Sequence, residues 1–324
     1  RSYLTISFCI ISFFFEINNS VTISLDLYNM LSNQIDSITE LLDTENWEEL
    51  NNRFYKNLAF GTGGMRGRTI GNYITKAERG KTKGKETPKF AAVGSNTLNE
   101  ITVLRATKAL FLHITKWLAE ESILAQPRLI IAHDVRHFSQ KFCELAASAW
   151  TKLGGYALVF EGARSTPQLS FTVRHQYAHA GIVITASHNP SHDNGFKAYI
   201  SDGGQIVEPE ASGIIARVNE LETEDYEPVD APGTLTALGG DMDRIYMDKV
   251  RSCLLRPDLL EGRKAKVVYT NLHGTGGVII VPMLRELGFE VITVPEQDTH
   301  DGRFPTVESP NPENGPALAM GIKL

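Results

Sequence analysis

Cysteine is scarce in this 324-residue chain: Cys9, Cys143 and Cys253 lie far apart without CxxC spacing. That argues against a disulfide framework and against a structural zinc site, and it fits a reducing, cytoplasmic setting. Long apolar runs are also lacking. The longest, Leu4 to Phe15, is about a dozen residues, whereas a membrane-spanning helix takes ~20. Its length would suit a signal-peptide core, but there is no initiator Met, only Arg1 flanks it and no small-x-small pattern follows closely. Residues 1–30 are therefore expected to be a poorly folded extension, with Asn18-Asn19-Ser20 a chance glycosylation match. Positive charge is in deficit as well, 32 Lys and Arg against 38 Asp and Glu giving a net −6. No overall positive field exists to hold nucleic acid or an anionic membrane surface, so a small-molecule partner is expected, with no nucleic acid and no membrane. The rest is ordinary: 42% hydrophobic and 22% charged residues exclude a disordered or collagen-like chain. The length suggests about two domains.

Apolar positions Ile35, Ile38, Leu41 and Leu42 predict one amphipathic helix from Leu31 to Leu50, ended by the glycine cluster Gly61–Gly67. After a basic loop from Lys76 to Lys89, helical periodicity returns over Thr97 to Glu120, with Asn96 or Thr97 as cap. Short β-branched runs then alternate with helical ones. Strands are expected at 129–132, 156–160, 181–185 and 195–200, and helices at 139–152 (ending at Gly154-Gly155) and 168–177. A first α/β domain thus covers 31–221, and the acidic, proline-bearing stretch 222–233 reads as a linker. A second unit, 234–324, offers a helix near 243–255, strands at 266–269 and 289–294, and a helix at 280–287 between them. A right-handed crossover is expected there. Pro316 to Leu324 reads as the first turns of a helix, so this second unit is expected to be incomplete.

Three segments carry chemistry. In Thr185-Ala186-Ser187-His188-Asn189-Pro190 a serine and a histidine follow a buried strand directly, where α/β folds place ligand loops. A tight turn at Asn194-Gly195 would return Lys197 towards Ser187. A serine beside a base is a nucleophile, one beside cations can carry a phosphoryl group, and the plain alternative is a polar turn capped by Ser187. In Phe60-Gly61-Thr62-Gly63-Gly64-Met65-Arg66-Gly67 a side-chain-poor backbone could offer N–H groups to an anion while Arg66 adds a guanidinium fork; a flexible connection is the competing reading. It fails as a dinucleotide fingerprint because Arg66 stands where the third glycine belongs, and Gly80-Lys81-Thr82 fails as a Walker loop because Thr75 replaces the earlier glycine. His188 and His192 have zinc-ligand spacing, but Pro190 between them removes the helix this requires. The basic loop reads as solvated, and Asp241 and Asp243 as capping carboxylates.

Phe60–Gly67 and Thr185–Pro190, with Asn194-Gly195-x-Lys197, together resemble the α-D-phosphohexomutases, closest to the phosphoglucomutase and phosphopentomutase branch. Supporting matches are Val93-Gly94-Ser95-Asn96, Asp134-x-Arg136-x-x-Ser139, Ser165-Thr166-Pro167, Leu272-His273-Gly274-Thr275-Gly276 and Pro310-Asn311-Pro312-Glu313. The resemblance implies tandem three-layer α/β/α domains with mixed sheets, the first complete and the second truncated. It implies a phosphoserine at Ser187 with His188, Lys197 and Arg66 as catalytic neighbours, and phosphate or substrate contacts from Thr62, Gly63, Arg66, Asn194 and Lys197. It further implies Mg²⁺ bound through the Ser187 phosphate, glucose 1,6-bisphosphate as activator, and movement of phosphate between C1 and C6 of glucose phosphate. The Asp-x-Asp-x-Asp-Arg metal loop expected after Glu313 is absent, so these residues are expected to be an inactive fragment of such an enzyme. Phosphopentomutase or phosphomannomutase activity is the alternative within the class, and a non-catalytic sugar-phosphate binding module the alternative outside it.

Overall fold

The computed structural model describes residues 25–61, 63–84, 86–221, 232–260 and 265–324, with side chains from residue 32 onward. The Leu4–Phe15 stretch with Cys9, Thr62, Lys85 and the linker residues 222–231 lie outside them.

The expected helix over 31–50 is two: α1 (Leu25–Asp43) and α2 (Trp47–Phe54). Glu45 takes φ +51° between them, and the Asn46 side chain accepts from Glu49 N to start α2 afresh. Next come β1 (Gly64–Arg68), the one-turn α3 (Lys76–Arg79) inside the basic loop, and α4 (Glu100–Glu120). The α4 cap is Asn99, in a reciprocal capping box with Thr102, rather than Asn96 or Thr97. Those two are occupied elsewhere: Asn96 Nδ2 donates to Asn52 O, and Thr97 Oγ1 to Ala92 O.

β2 (Arg128–His133), α5 (Ser139–Lys152), β3 (Tyr156–Phe160), α6 (Thr166–His175), β4 (Ala180–Ile184) and β5 (Asp193–Ile200) follow the expected alternation, and α7 (Glu210–Glu220) adds a helix beyond it. Helix α5 stops where predicted because Gly154 takes φ +91°, letting Gly154 N reach Thr151 O and Gly155 N reach Trp150 O. The sheet has two strands beyond the four expected, β1 and β6 (Leu235–Leu238). β6 lies at its far edge. It pairs in parallel with β3, so the expected second unit from residue 234 begins on the far edge of the first sheet. Only Leu238 of β6 is buried, so the strand carries no alternation to read.

The sheet order is β1-β5-β4-β2-β3-β6, parallel except where β5 runs against both β1 and β4. One face buries Met65, Leu129, Ile131, Ile182 and Phe196 under α4, α5 and α7. There Trp150 meets Phe111 edge-on, with ring centroids 5.0 Å apart. The other buries Ile130, Leu158, Val183 and Tyr199 under α6 and α8 (Gly240–Ser252). The result is three layers, and each fully buried large side chain contributes about 1.5–3 kcal/mol relative to leaving it in water. A smaller cluster of Ile38, Leu41, Leu50, Phe54 and Val93 seats α1 and α2.

A second sheet consists of β7 (Lys266–Tyr269) and β8 (Glu290–Thr293), parallel and joined through α9 (Ile280–Glu286). The short α10 (Pro295–Asp298) and α11 (Gly315–Lys323) follow. Between them the chain crosses to the first unit. The gap at Gly302 is so tight that a Cβ there would lie 2.5 Å from Val135 O.

Candidate functional site

The carboxyl end of β4 carries the Ser187 loop. Thr185 N donates to Gly195 O (2.8 Å) and Ser187 N to Thr185 Oγ1 (2.9 Å). Asn189 N reaches Ala186 O and Asp193 N reaches Pro190 O. These short turns place Ser187 at φ +59°, a left-handed conformation costly for a non-glycine residue, with Ser187 and His188 both exposed. Ser187 Oγ lies 3.3 Å from His188 Nδ1.

The chain reverses before Asn194, not at it. Asn194 and Gly195 already belong to β5, and Asn194 is fully buried. Its amide donates to His137 O (3.0 Å) and Ser139 Oγ (2.8 Å), and its carbonyl accepts from Gly195 N. Its side chain thus braces the loop from below, leaving nothing to offer a phosphate.

Register brings the candidate cations to the same end of the sheet. Lys197 pairs with Gly64 and Val183, and Arg66 pairs with Gly195. Gly195 is needed for this, since a Cβ there would fall 2.5 Å from Thr185 O and 3.4 Å from Arg66 Cγ. Burial first, and then the charges of Arg66 and Arg136, hold the Lys197 ammonium below its ordinary pKa, against an opposing pull from Asp134. Arg66 itself is exposed. The two carboxylates nearby are engaged. Asp134 accepts from Thr185 Oγ1 (2.6 Å), Ser139 Oγ (2.7 Å) and Arg136 N (2.8 Å). Asp193 accepts from Asn189 Nδ2 (3.2 Å).

The glycine segment before β1 differs from a phosphate cradle. Gly61 and Gly64 bond each other reciprocally, N to O, at 2.9 and 3.0 Å, so those two amides are spent within the turn. Gly63 O accepts from Gln205 Nε2 and Ala198 N. The glycines serve close approach: Gly64 has φ +132°, and a Cβ on it would lie 2.0 Å from Phe196 O. This turn delivers Arg66 to the site.

Sequence reasoning gives Asp134 and Arg136 no role of their own, yet Arg136 lies under the Ser187 loop and donates to its backbone carbonyls. Backbone acceptors more than fifty residues away leave no trace in the pattern of side chains. Asp243 is also reassigned. Rather than capping α8, it takes a two-pronged contact from Arg164 (2.7 Å at both oxygens) and a bond from Gln168 Nε2 (2.7 Å). A cavity of about 850 Å³ opens beside this region between His133–Phe138, Glu86–Lys89 and His300–Arg303; Ser187, Arg66 and Lys197 do not line it.

Comparison with known proteins gives one family. The phosphoglucomutase/phosphomannomutase α/β/α domain I model matches residues 91–225, and the domain II model matches residues 243–324. A phosphoglucomutase of Staphylococcus saprophyticus is 31% identical over 89% of this chain and 48% of its own length. A human phosphopentomutase is 28% identical over 87% of this chain and 44% of its own. The chain therefore spans about half the length of the curated relatives it matches. A solved phosphoglucomutase/phosphomannomutase family protein of Burkholderia thailandensis shares the fold, with a TM-score of 0.59 at 19% identity over 83% of this chain and 50% of that one.

Proposed function

Because the chain belongs to the α-D-phosphohexomutase family, we propose that Ser187 carries a phosphoryl group for a phosphosugar mutase moving phosphate between C1 and C6 of glucose phosphate. The observation that carries this reading is the geometry of Ser187: exposed, left-handed, on a loop after β4, at the sheet end that also bears Arg66 and Lys197. A phosphoserine there holds about −1.5 to −2 charges, which the guanidinium and ammonium offset. In transfer, the bond from phosphorus to Ser187 Oγ breaks as one to a sugar hydroxyl oxygen forms. The hydroxyl proton passes to a basic side chain, Lys197 or His188, and the Ser187 alkoxide is reprotonated in turn. Lys197 suits this task because its depressed pKa makes the neutral amine easier to reach. That first transfer gives a sugar bisphosphate; once the sugar has turned over, Ser187 Oγ takes the other phosphoryl group back, the bond from phosphorus to that sugar oxygen breaks, and the oxygen takes up a proton to give the isomer. The sugar could instead be a pentose phosphate, as the name of the human relative suggests.

The family is generally magnesium-dependent. Among the described residues no group of three or more His, Cys, Asp or Glu could hold a metal ion, and Asp243 is committed to Arg164. These described residues do not fit a resident magnesium site. A cytoplasmic setting is part of the proposal, supported by the free thiols of Cys143 and Cys253. No described helix is long and apolar enough to cross a membrane.

The test is to incubate the chain with glucose 1,6-bisphosphate, and separately ribose 1,5-bisphosphate, labelled in phosphorus, and to map the label by peptide. Label on the Ser187 peptide, absent from Ser187→Ala, is expected. Label on another residue, or retained in Ser187→Ala, overturns the assignment, and sugar-phosphate binding with no label at all favours a non-catalytic module.

A further inference from the structure

We propose that Arg136 is a positioning residue for Ser187, and that the second unit sets it through Phe304 and Ser309. Calling the role positioning rests on Ser187 being the phosphoryl carrier, but the geometry stands by itself. Arg136 is 3% exposed, and its guanidinium donates to four backbone carbonyls, three in the Ser187 loop and one at the first residue of β5. They are Ser187 O (2.9 Å), Asn189 O (2.6 Å), Pro190 O (2.7 Å) and Asp193 O (3.1 Å). Carbonyls in an irregular loop have no ladder partner, so their direction is set by whichever donors reach them. A planar fork fixed at one end by Asp134, whose Oδ2 lies 3.2 Å from Arg136 Nε, orients them together.

Between Ser187 and Pro190, the carbonyl that Arg136 leaves out is that of His188. Ser309 Oγ, from the second unit, donates to it at 2.7 Å. The same crossing segment covers the guanidinium, because the buried Phe304 ring lies 5.1 Å from it in the left-handed region at φ +50°. Loop direction and second-unit position are therefore coupled through one side chain. A shift of the 302–309 segment moves Arg136, and Arg136 moves the backbone that aims Ser187. A lysine cannot substitute, since a single ammonium nitrogen cannot span four diverging acceptors.

A purely structural arginine would loosen the fold at large when changed, whereas a positioning arginine loosens the loop. The 324-residue chain would be compared by hydrogen exchange and by the ¹³C resonance of the His188 ring, assigned by its loss in His188→Gln. The variants are Arg136→Lys and the double variant Phe304→Leu with Ser309→Ala, which strands no buried charge. Exchange over 186–193 should rise about tenfold in Arg136→Lys and about threefold in the double variant, with β2 unchanged and the His188 resonance moved in both. Unchanged loop exchange in the double variant, or acceleration spread equally over β2 and β4, overturns the proposal. If Arg136→Lys does not fold, the double variant decides. Phosphoryl labelling of Ser187 by glucose 1,6-bisphosphate forms a separate arm: an unlabelled wild-type chain counts against the carrier reading and leaves the exchange result to judge the geometry. Where the wild type labels, the double variant should label about threefold more slowly at an unchanged half-saturating bisphosphate concentration, and a change in half-saturation alone overturns positioning.

Discussion

Lys197 sits where burial and two guanidinium groups act in the same direction, and only Asp134 opposes them. The folded chain therefore binds the lysine proton more weakly than the unfolded chain does. Between the lowered value and the ordinary ~10.4, the unfolded state carries more protons, so this group's contribution to stability rises with pH there. Below that window the ammonium is a net cost to folding. Amine labelling of the chain across pH should give Lys197 a midpoint below the ordinary lysine value. Arg66→Met should raise that midpoint, because Arg66 is the largest of the charges depressing it. A midpoint at the ordinary value in the wild type would remove the argument for Lys197 as proton acceptor. Residue identity made Lys197 and Ser187 visible in the sequence, because both stand in a distinctive string. The same string draws in Asn194, whose amide is a buried brace under the loop. Nothing local to Asn194 announces that His137 and Ser139 lie beneath it.

At the scale of elements, Asp243 of α8 ties to Gln168 of α6 and to Arg164 just before that helix, beside the apolar contact of Leu169 and Val173 with Met242. Partial burial alone would raise the Asp243 carboxyl, but hydrogen bonds from Arg164 and Gln168 outweigh it and hold the group below the ordinary carboxylate value. A depressed carboxyl contributes stability that is present above its unfolded value, ~3.9, and is lost as pH falls through the folded value. Asp243→Asn should thus cost on the order of 1.5–3 kcal/mol at pH 7, where Arg164 loses a charged partner, and progressively less below about pH 4. Urea unfolding at pH 7 and pH 3 checks this; an equal loss at both would show that the carboxylate charge is not what matters. Elements bounded by their own chemistry were legible. Ser139–Lys152 and Tyr156–Phe160 match residue for residue, since the Gly154-Gly155 terminator and the apolar run between turns are local signals. β6 was not, because an edge strand with three exposed positions is held by its pairing with β3 rather than by its pattern. The break between α1 and α2 escaped for a similar reason: the apolar rhythm runs on across it, and only the Asn46 cap and the left-handed Glu45 reveal the turn.

At the scale of the whole molecule, the question is whether these residues neutralise a transferring phosphoryl group unaided. A phosphoserine brings about −1.5 to −2 charges near pH 7, and the moving group spreads further negative charge in the transition state. Arg66 and Lys197 face this load, while Arg136 spends its donors on loop carbonyls and no described carboxylate cluster could hold a divalent cation. An open site also keeps water, a high dielectric and an escape route for a bisphosphate intermediate, which weakens each remaining contact. Single phosphoryl transfer to Ser187 makes lighter demands than full exchange, because it does not require the sugar to turn over while held. The 324-residue chain should therefore accept label on Ser187 yet show no isomerisation in a coupled glucose 6-phosphate assay with Mg²⁺ and glucose 1,6-bisphosphate. The Staphylococcus saprophyticus phosphoglucomutase, of which the chain spans 48%, is the positive control. Turnover within about tenfold of that control, a barrier difference of only ~1.4 kcal/mol, would mean that Arg66 and Lys197 suffice or that Asp241 takes part in holding the supplied cation. Asp241→Asn in the same assay separates the two, since it removes a carboxylate that the described contacts leave available while Arg66 and Lys197 stay in place.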